Sequence, residues 1–409
     1  MTIVSDPDIV SHNTGGRQPV VLQVLPAMVT GGVERGTVEI AATLIDAGWK
    51  AIVVSNGGPM VRELDRIGAI HITLPVHSKK PWIMWRNIDR LVQVIRHYNV
   101  DIVHARSRAP AWSAWSAARR TGRHFITTYH GTYNEGLMGL KRRYNAVMAK
   151  GERVIAISDF IARHVQLTHH VEDSRLRVIH RGVDLDIFDP LRVSPERIIQ
   201  LAHKWRLPDG HRVITLPGRL TRWKGQSVLI DALSRLSRRD IRCLLVGSDQ
   251  GRTGYRQELL QQIKALDLED VVHLVDECND MPAAYMLTDV VVSASTDPEA
   301  FGRVVVEAQA MGRPVIVSDH GGARETILPG RTGWVVPPSD PVALAEAIEG
   351  TLSLSEEQRY QIAKWAVNHV RKEFSRTQMC EKTLYVYGEV LGFHPSPTED
   401  DFLDSNSDA

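Results

Sequence analysis

The chain has little cysteine, no long apolar run and almost no net charge. Its three cysteines, Cys243, Cys278 and Cys380, are far apart and odd in number. That pattern argues against a disulfide framework or a cysteine-rich metal site and points to a reducing compartment. No apolar stretch approaches the ~20 residues needed to cross a bilayer. The N-terminal MTIVSDPDIVSHNTGGRQ is polar and lacks the apolar core of a signal peptide. A cytoplasmic protein is expected. With 409 residues, 43% apolar and 24% charged, fibrous, collagen-like and disordered classes are ruled out. The length leaves room for two or three domains with ample core.

The net charge of +1 conceals an asymmetry. Residues 1–190 carry 24 Lys+Arg against 17 Asp+Glu, and residues 191–409 carry 25 against 31. Residues 51–150 alone hold 16 basic and 5 acidic side chains. Such an excess is either an ordinary solvated surface or a face for anionic partners. No zinc-finger or RNA-recognition signature accompanies it, so an anionic membrane or lipid is preferred over nucleic acid.

Strand-like runs alternate with amphipathic stretches. VVLQVLPA (20–27), AIVVSN (51–56), DIVHA (101–105), FITTYH (125–130) and RVIAIS (153–158) read as strands, with helical spacing over 33–48 and around 86–98. The pattern weakens near GVDLDIFDP (182–190), and a polar helical stretch runs to about 207. It restarts with RVITLPG (212–218), CLLVGS (243–248), VVHLVD (271–276), DVVVSAS (289–295) and PVIVSD (314–319). This alternation predicts an α/β protein of two doubly wound, Rossmann-like domains whose strand ends face one cleft. The expected divisions are a disordered tail (1–18), an N-terminal domain (19–190) and a C-terminal domain (191–373). A helical stretch over 356–392 ends at Gly392, and an acidic disordered tail covers 393–409.

Four segments carry candidate chemistry. In DPEAFGRVVVEAQAMGRPVIVSD (297–319), Asp297 and Pro298 break a strand, Glu299 enters a loop, Gly302 allows close approach, and RVVVEAQAM reads as a helix containing Glu307. The N–H groups at that helix start suit phosphate or sugar oxygens; alternatively, Glu299 is a cap and Glu307 an exposed helix position. In LPGRLTRWKGQSVLIDAL (216–233), Arg219 and Lys224 lie between a strand and a helix starting near Gly225, a placement suited to a pyrophosphate. The loop is also compatible with a plain basic surface, and it is not a P-loop. In MVTGGVERGTVEIA (28–41), Gly31 and Gly32 permit backbone approach to a ligand, although the G-x-G-x-x-G fingerprint is incomplete. In FITTYHGTYN (125–134), His130 ends a strand.

Together these segments resemble the family 4 glycosyltransferases, retaining enzymes of the GT-B fold, over about residues 20–392. EAFGRVVVE matches the family's E-x7-E pattern, and GRLTRWKG, the GG turn, TYHG, VIAISDFI and VIHRGVDLDIF follow in the family's order. The resemblance implies that Arg219 and Lys224 hold the pyrophosphate of a UDP- or GDP-sugar. It implies that Glu299 meets the donor sugar and Glu307 the nucleotide ribose. Backbone groups of Ala300, Phe301, Gly302 and Arg303 would meet sugar or phosphate oxygens. Gly31 and Gly32 would close over the donor, and His130 would help position the reacting centre. The catalytic set is thus Glu299, His130, Arg219 and Lys224. The resemblance also implies that residues 374–392 return to the N-terminal domain as a helix.

No metal or other cofactor is expected. Asp184-Leu185-Asp186 matches a D-x-D pair, but a turn or capping role is preferred, and the two cations can replace a metal's charge. The acceptor is expected to be a saccharide or lipid-linked saccharide, as in lipopolysaccharide synthesis. KKPWIMWRN (79–87) sets Trp82 and Trp85 beside Lys79, Lys80 and Arg86. GLMGLKRRYNAVMAKGER (136–153) mixes Leu137, Met138, Leu140, Val147 and Met148 with Lys141, Arg142, Arg143, Lys150 and Arg153. A basic amphipathic surface with Trp suits peripheral attachment to the inner face of the cytoplasmic membrane; a core-packed helix with exposed charges is the alternative. The competing functions are a phosphorylase, an epimerase or an inactive sugar-nucleotide-binding protein.

Overall fold

The computed structural model describes residues 17–29, 31–133, 140–251 and 253–392. Most of the expected N-terminal tail, the acidic tail, Leu137 and Met138 lie outside the described residues. The described residues form two sheets, one of seven strands and one of six, and every strand pair is parallel. The first sheet contains β1 (Val20–Val24), β2 (Lys50–Ser55), β3 (Ile70–Thr73), β4 (Ile102–Ala105), β5 (His124–Tyr129), β6 (Arg153–Ala156) and β7 (Leu176–Val178). Its spatial order is β3-β2-β1-β4-β5-β6-β7. The second contains β8 (Arg212–Pro217), β9 (Ile241–Val246), β10 (Val272–Val275), β11 (Val290–Ser293), β12 (Val315–Ser318) and β13 (Gly333–Val336), in the order β10-β9-β8-β11-β12-β13.

Parallel neighbours need crossover connections, and here these are helical, as the alternating sequence pattern predicts. The central strands are buried along nearly their whole length. β1, β4, β11 and β12 are buried at every position, which explains their richness in Val, Ile and Leu. In the second sheet the core gathers Ile214, Leu245, Val292 and Ile316 with Leu229, Leu233, Leu344 and Ile348 from the flanking helices.

The chain divides into two compact units. The first comprises residues up to Ile157, Ala162–Ile179 and Cys380 onward; the second comprises Ser158–Ile161 and His180–Met379. The long second-unit segment begins at Ile179/His180, earlier than the expected boundary at 190/191, and the chain is back in the first unit from Cys380.

Three further differences have physical causes. β3, β7 and β13 were not expected; each lies at a sheet edge, is only partly buried, and so lacks a strong apolar signal. The helix expected around 86–98 begins at Pro81, where a first-turn proline is tolerated, and ends at left-handed Asn99. The helical stretch over 356–392 is two helices, Glu356–Glu373 and Arg376–Leu391. Between them Ser375 forms a parallel bridge with Val183: Val183 N–H donates to Phe374 O (2.8 Å) and Arg376 N–H to Val183 O (2.9 Å).

Candidate functional site

The order of the second sheet reverses between β8 and β11. In open parallel sheets ligands bind beyond the strand carboxyl ends at such a point. β8 leads into Arg219 and Lys224, and β11 leads into Ser295 and Glu299. The structure joins these segments: Lys224 Nζ donates to Glu299 Oε1 at 2.7 Å, with side chains only 12% and 10% exposed. The same oxygen accepts from Ser295 Oγ at 2.5 Å and Ser293 Oγ at 3.2 Å. Burial alone would raise the Glu299 pKa, but the Lys224 ammonium and the two hydroxyls outweigh it, and the net shift is downward. Glu299 is therefore held as an anion and is not a helix cap.

The loop carrying Glu299 is fixed by two glycines that the sequence reading did not single out. Gly322 N–H donates to Glu299 O at 2.7 Å. At Gly321, φ is +66°, and an added Cβ would stand 2.6 Å from Glu299 O. Ser158 Oγ, also outside the expected set, donates to Ala300 O at 2.6 Å. Phe301 is buried against Phe374. Gly302, at φ +89°, opens the helix Arg303–Ala310 without a side-chain cap. The leading N–H groups of a helix have no intrahelical partner, so this start favours negative charge.

Glu307 is buried rather than an exposed helix position. Arg303 Nε donates to its Oε1 at 2.8 Å and the fully buried Tyr285 hydroxyl to its Oε2 at 3.1 Å. Arg219 is exposed, and among the described residues its guanidinium has no hydrogen-bond or ion-pair partner. The second unit thus gathers one buried ammonium, one open guanidinium, two anchored carboxylates and an uncapped helix start.

Gly31, Gly32 and His130 belong to the first unit. Gly31 precedes the helix Gly32–Asp46, and His130 directly follows β5. In the expected acceptor patch, Trp82 and Trp85 are 60% and 71% exposed, and Lys80 lies over the Trp82 ring. Lys141, Arg142, Arg143 and Lys150 are exposed, and Lys150 stacks on Trp115. One correction is needed. Val147 and Met148 are fully buried in a short 3-10 turn whose Met148 O accepts from Thr127, so they cannot contribute to an amphipathic surface.

The D-x-D pair is engaged otherwise. Asp184 pairs with Arg376 and its Oδ1 accepts from Asp186 N–H; Asp186 pairs with Arg192. Among the described residues, Asp159, His180 and Glu325 bring potential ligand atoms within 4.8 Å of one another. However, both Glu325 oxygens already accept the leading N–H groups of the helix Asp159–His169, at 2.8 and 2.6 Å. A helix start disfavours a cation. No helix among the described residues is long and apolar enough to cross a membrane.

The profile described as "Glycosyl transferases group 1" matches residues 198–366, and "Glycosyltransferase Family 4" matches 30–187. A glycosyltransferase crystal structure from Rickettsia africae is 39% identical, with a TM-score of 0.85, covering 91% of this chain and 99% of that one. A D-inositol 3-phosphate glycosyltransferase from Salinispora tropica is 28% identical over 338 residues, 76% of this chain and 67% of its own. The Anabaena protein HepE, solved in complex with UDP-glucose, shares the fold at 24% identity and a TM-score of 0.77, over 90% of this chain and 99% of that one. Two parallel doubly wound units, matched in turn by these two profiles, make the chain a member of the group 1 and family 4 glycosyltransferases, with the GT-B fold.

Proposed function

We propose that the second unit binds a nucleotide-activated hexose by its diphosphate and that the chain transfers the hexose with retention, without a metal ion. The observation that carries this is the buried Lys224–Glu299 pair at the β8/β11 switch, beside the uncapped helix start at Gly302. One Lys224 N–H is spent on Glu299, leaving donors for phosphate oxygens, and the Arg219 guanidinium is open. Glu299 receives sugar hydroxyls and Glu307 the ribose hydroxyls, both as anchored acceptors. The UDP-glucose bound by HepE supports a nucleotide-sugar donor.

In the reaction the anomeric C–O bond breaks and its electron pair leaves with the diphosphate. The acceptor oxygen bonds to the anomeric carbon on the same face, and its proton passes to a donor phosphate oxygen. Lys224, Arg219 and the helix start stabilise the departing charge; one such donor contributes ~3 kcal/mol by analogy with oxyanion holes. The acceptor is a saccharide or lipid-linked saccharide of lipopolysaccharide or another cell-surface polysaccharide. It is reached at the inner face of the cytoplasmic membrane, where Trp82, Trp85 and the exposed cations meet anionic lipid.

The test is incubation with UDP-glucose, UDP-N-acetylglucosamine and GDP-mannose in excess chelator, with nucleoside diphosphate release and product anomer followed by NMR. Release from one donor with the anomer retained is expected. No release, an inverted product, or release only after adding Mn²⁺ contradicts the corresponding part of the reading.

A further inference from the structure

Arg106 directly follows β4, where the order of the first sheet reverses between β1 and β4. Its backbone N–H donates to Val24 O at 3.0 Å, which fixes it against the end of β1. The residue is 4% exposed. Its Nη1 donates to Gln23 Oε1 at 3.1 Å, and its Nε has no hydrogen-bond partner among the described residues. Gln23 is fully buried, and its amide nitrogen is engaged with Thr37 O at 3.1 Å. The oxygen it turns toward Arg106 is neutral. Among the described residues no carboxylate forms an ion pair with this guanidinium.

Neighbouring His104 uses both ring nitrogens, one with Tyr387 Oη (2.6 Å) and one with Thr128 Oγ1 (2.7 Å). The mouth of the helix Gly32–Asp46 already faces a carboxylate, since the Glu34 side chain folds back onto Gly31. Burial pushes the Arg106 pKa down, and more distant Tyr387, Glu39, Cys380 and Glu34 only partly offset this. A buried cation facing a neutral amide is costly unless an anion completes it. Five N–H donors in a planar fork match the oxygens of a phosphate or carboxylate.

We propose that Arg106 and Gln23 form the floor of an anion seat at the β1/β4 switch point, made for a phosphate group carried by the acceptor. The seat stands on its own geometry; assigning its occupant to the acceptor rests on the glycosyl-transfer reading above.

The experiment is calorimetric titration of the full chain with inorganic phosphate at constant ionic strength, in an Arg219→Ala/Lys224→Ala background that disables the second unit's diphosphate contacts. One phosphate is expected to bind in that background. Adding Arg106→Gln is expected to weaken it at least tenfold, with Arg106→Lys between. Absence of binding in the background alone overturns the seat, as does unchanged binding after Arg106→Gln. Glucose 6-phosphate is expected to bind more tightly than inorganic phosphate, and glucose not to compete. The reverse order overturns the acceptor assignment. UDP binding to the unmodified chain is measured in parallel. Its loss with phosphate binding intact defeats the donor reading alone, and the opposite result defeats the seat alone.

Discussion

The two sheets share a winding rule and differ in how they treat a buried cation at the switch point. In the second, Lys224 meets a carboxylate and that carboxylate meets two hydroxyls, so charge is balanced before any ligand arrives. In the first, the Arg106 guanidinium hydrogen-bonds to the Gln23 amide, and among the described residues no carboxylate forms an ion pair with it. A balanced pair is a rigid, preorganised platform. An unbalanced cation holds binding capacity in reserve. Equal topology therefore does not imply equal electrostatics, and each unit's task is written in the side chains at its switch point rather than in its strand order.

The sharpest way to break this comparison is Lys224→Ala. It leaves a buried anion with hydroxyls alone, so unfolding free energy should fall by about 3 kcal/mol in denaturant titrations. Transfer should fall ~100-fold or more. The pH dependence follows from the downward shift of Glu299. Its contribution is complete above the ordinary carboxyl value of about 4.3 and is lost as pH falls through the lower folded value. In Lys224→Ala the acid unfolding midpoint should therefore move to higher pH.

Gly321→Ala comes next. Its left-handed backbone and the nearby Glu299 carbonyl predict a loss of about 2 kcal/mol, read by thermal unfolding, with weaker donor binding. Asp184→Asn removes the charge facing Arg376 and should cost about 1 kcal/mol, while activity stays indifferent to chelator. A chelator-sensitive enzyme would return Asp184 and Asp186 to a metal role. Arg106→Gln should change ligand-free stability by no more than about 1 kcal/mol, in contrast to Lys224→Ala, because no charged partner is orphaned. The smallest stability effect is expected for Trp82→Ser/Trp85→Ser, within about 0.5 kcal/mol, since both rings are exposed. That variant should nonetheless lose flotation with anionic liposomes. Retained flotation would remove the membrane contact.

The interior strands were legible because burial on both faces writes them as continuous apolar runs. β3, β7 and β13 were not, because edge strands are half solvated. The break at Phe374–Ser375 was invisible since it depends on Val183, distant in sequence. Glu299, Lys224, Arg219 and Glu307 stood out by their loop and helix context, which left structural alternatives open, and their expected roles came from the family resemblance. Their pairing was not legible, because it joins segments from either side of the switch point. Ser293 and Ser295, two apart at the end of β11, and the Gly321–Gly322 pair after β12 were the available signals for the rest. Arg106 left no trace, since an arginine after a strand reads as surface until its burial is known.

The central claim is that the second unit grips a diphosphate through Lys224, Arg219 and the helix start at Gly302. The most direct test is calorimetric binding of UDP and GDP to the unmodified chain and to Lys224→Ala and Arg219→Ala. One nucleotide should bind, with each substitution weakening it tenfold or more. Binding that is equal in all three proteins, or absent from the unmodified chain, would contradict the account.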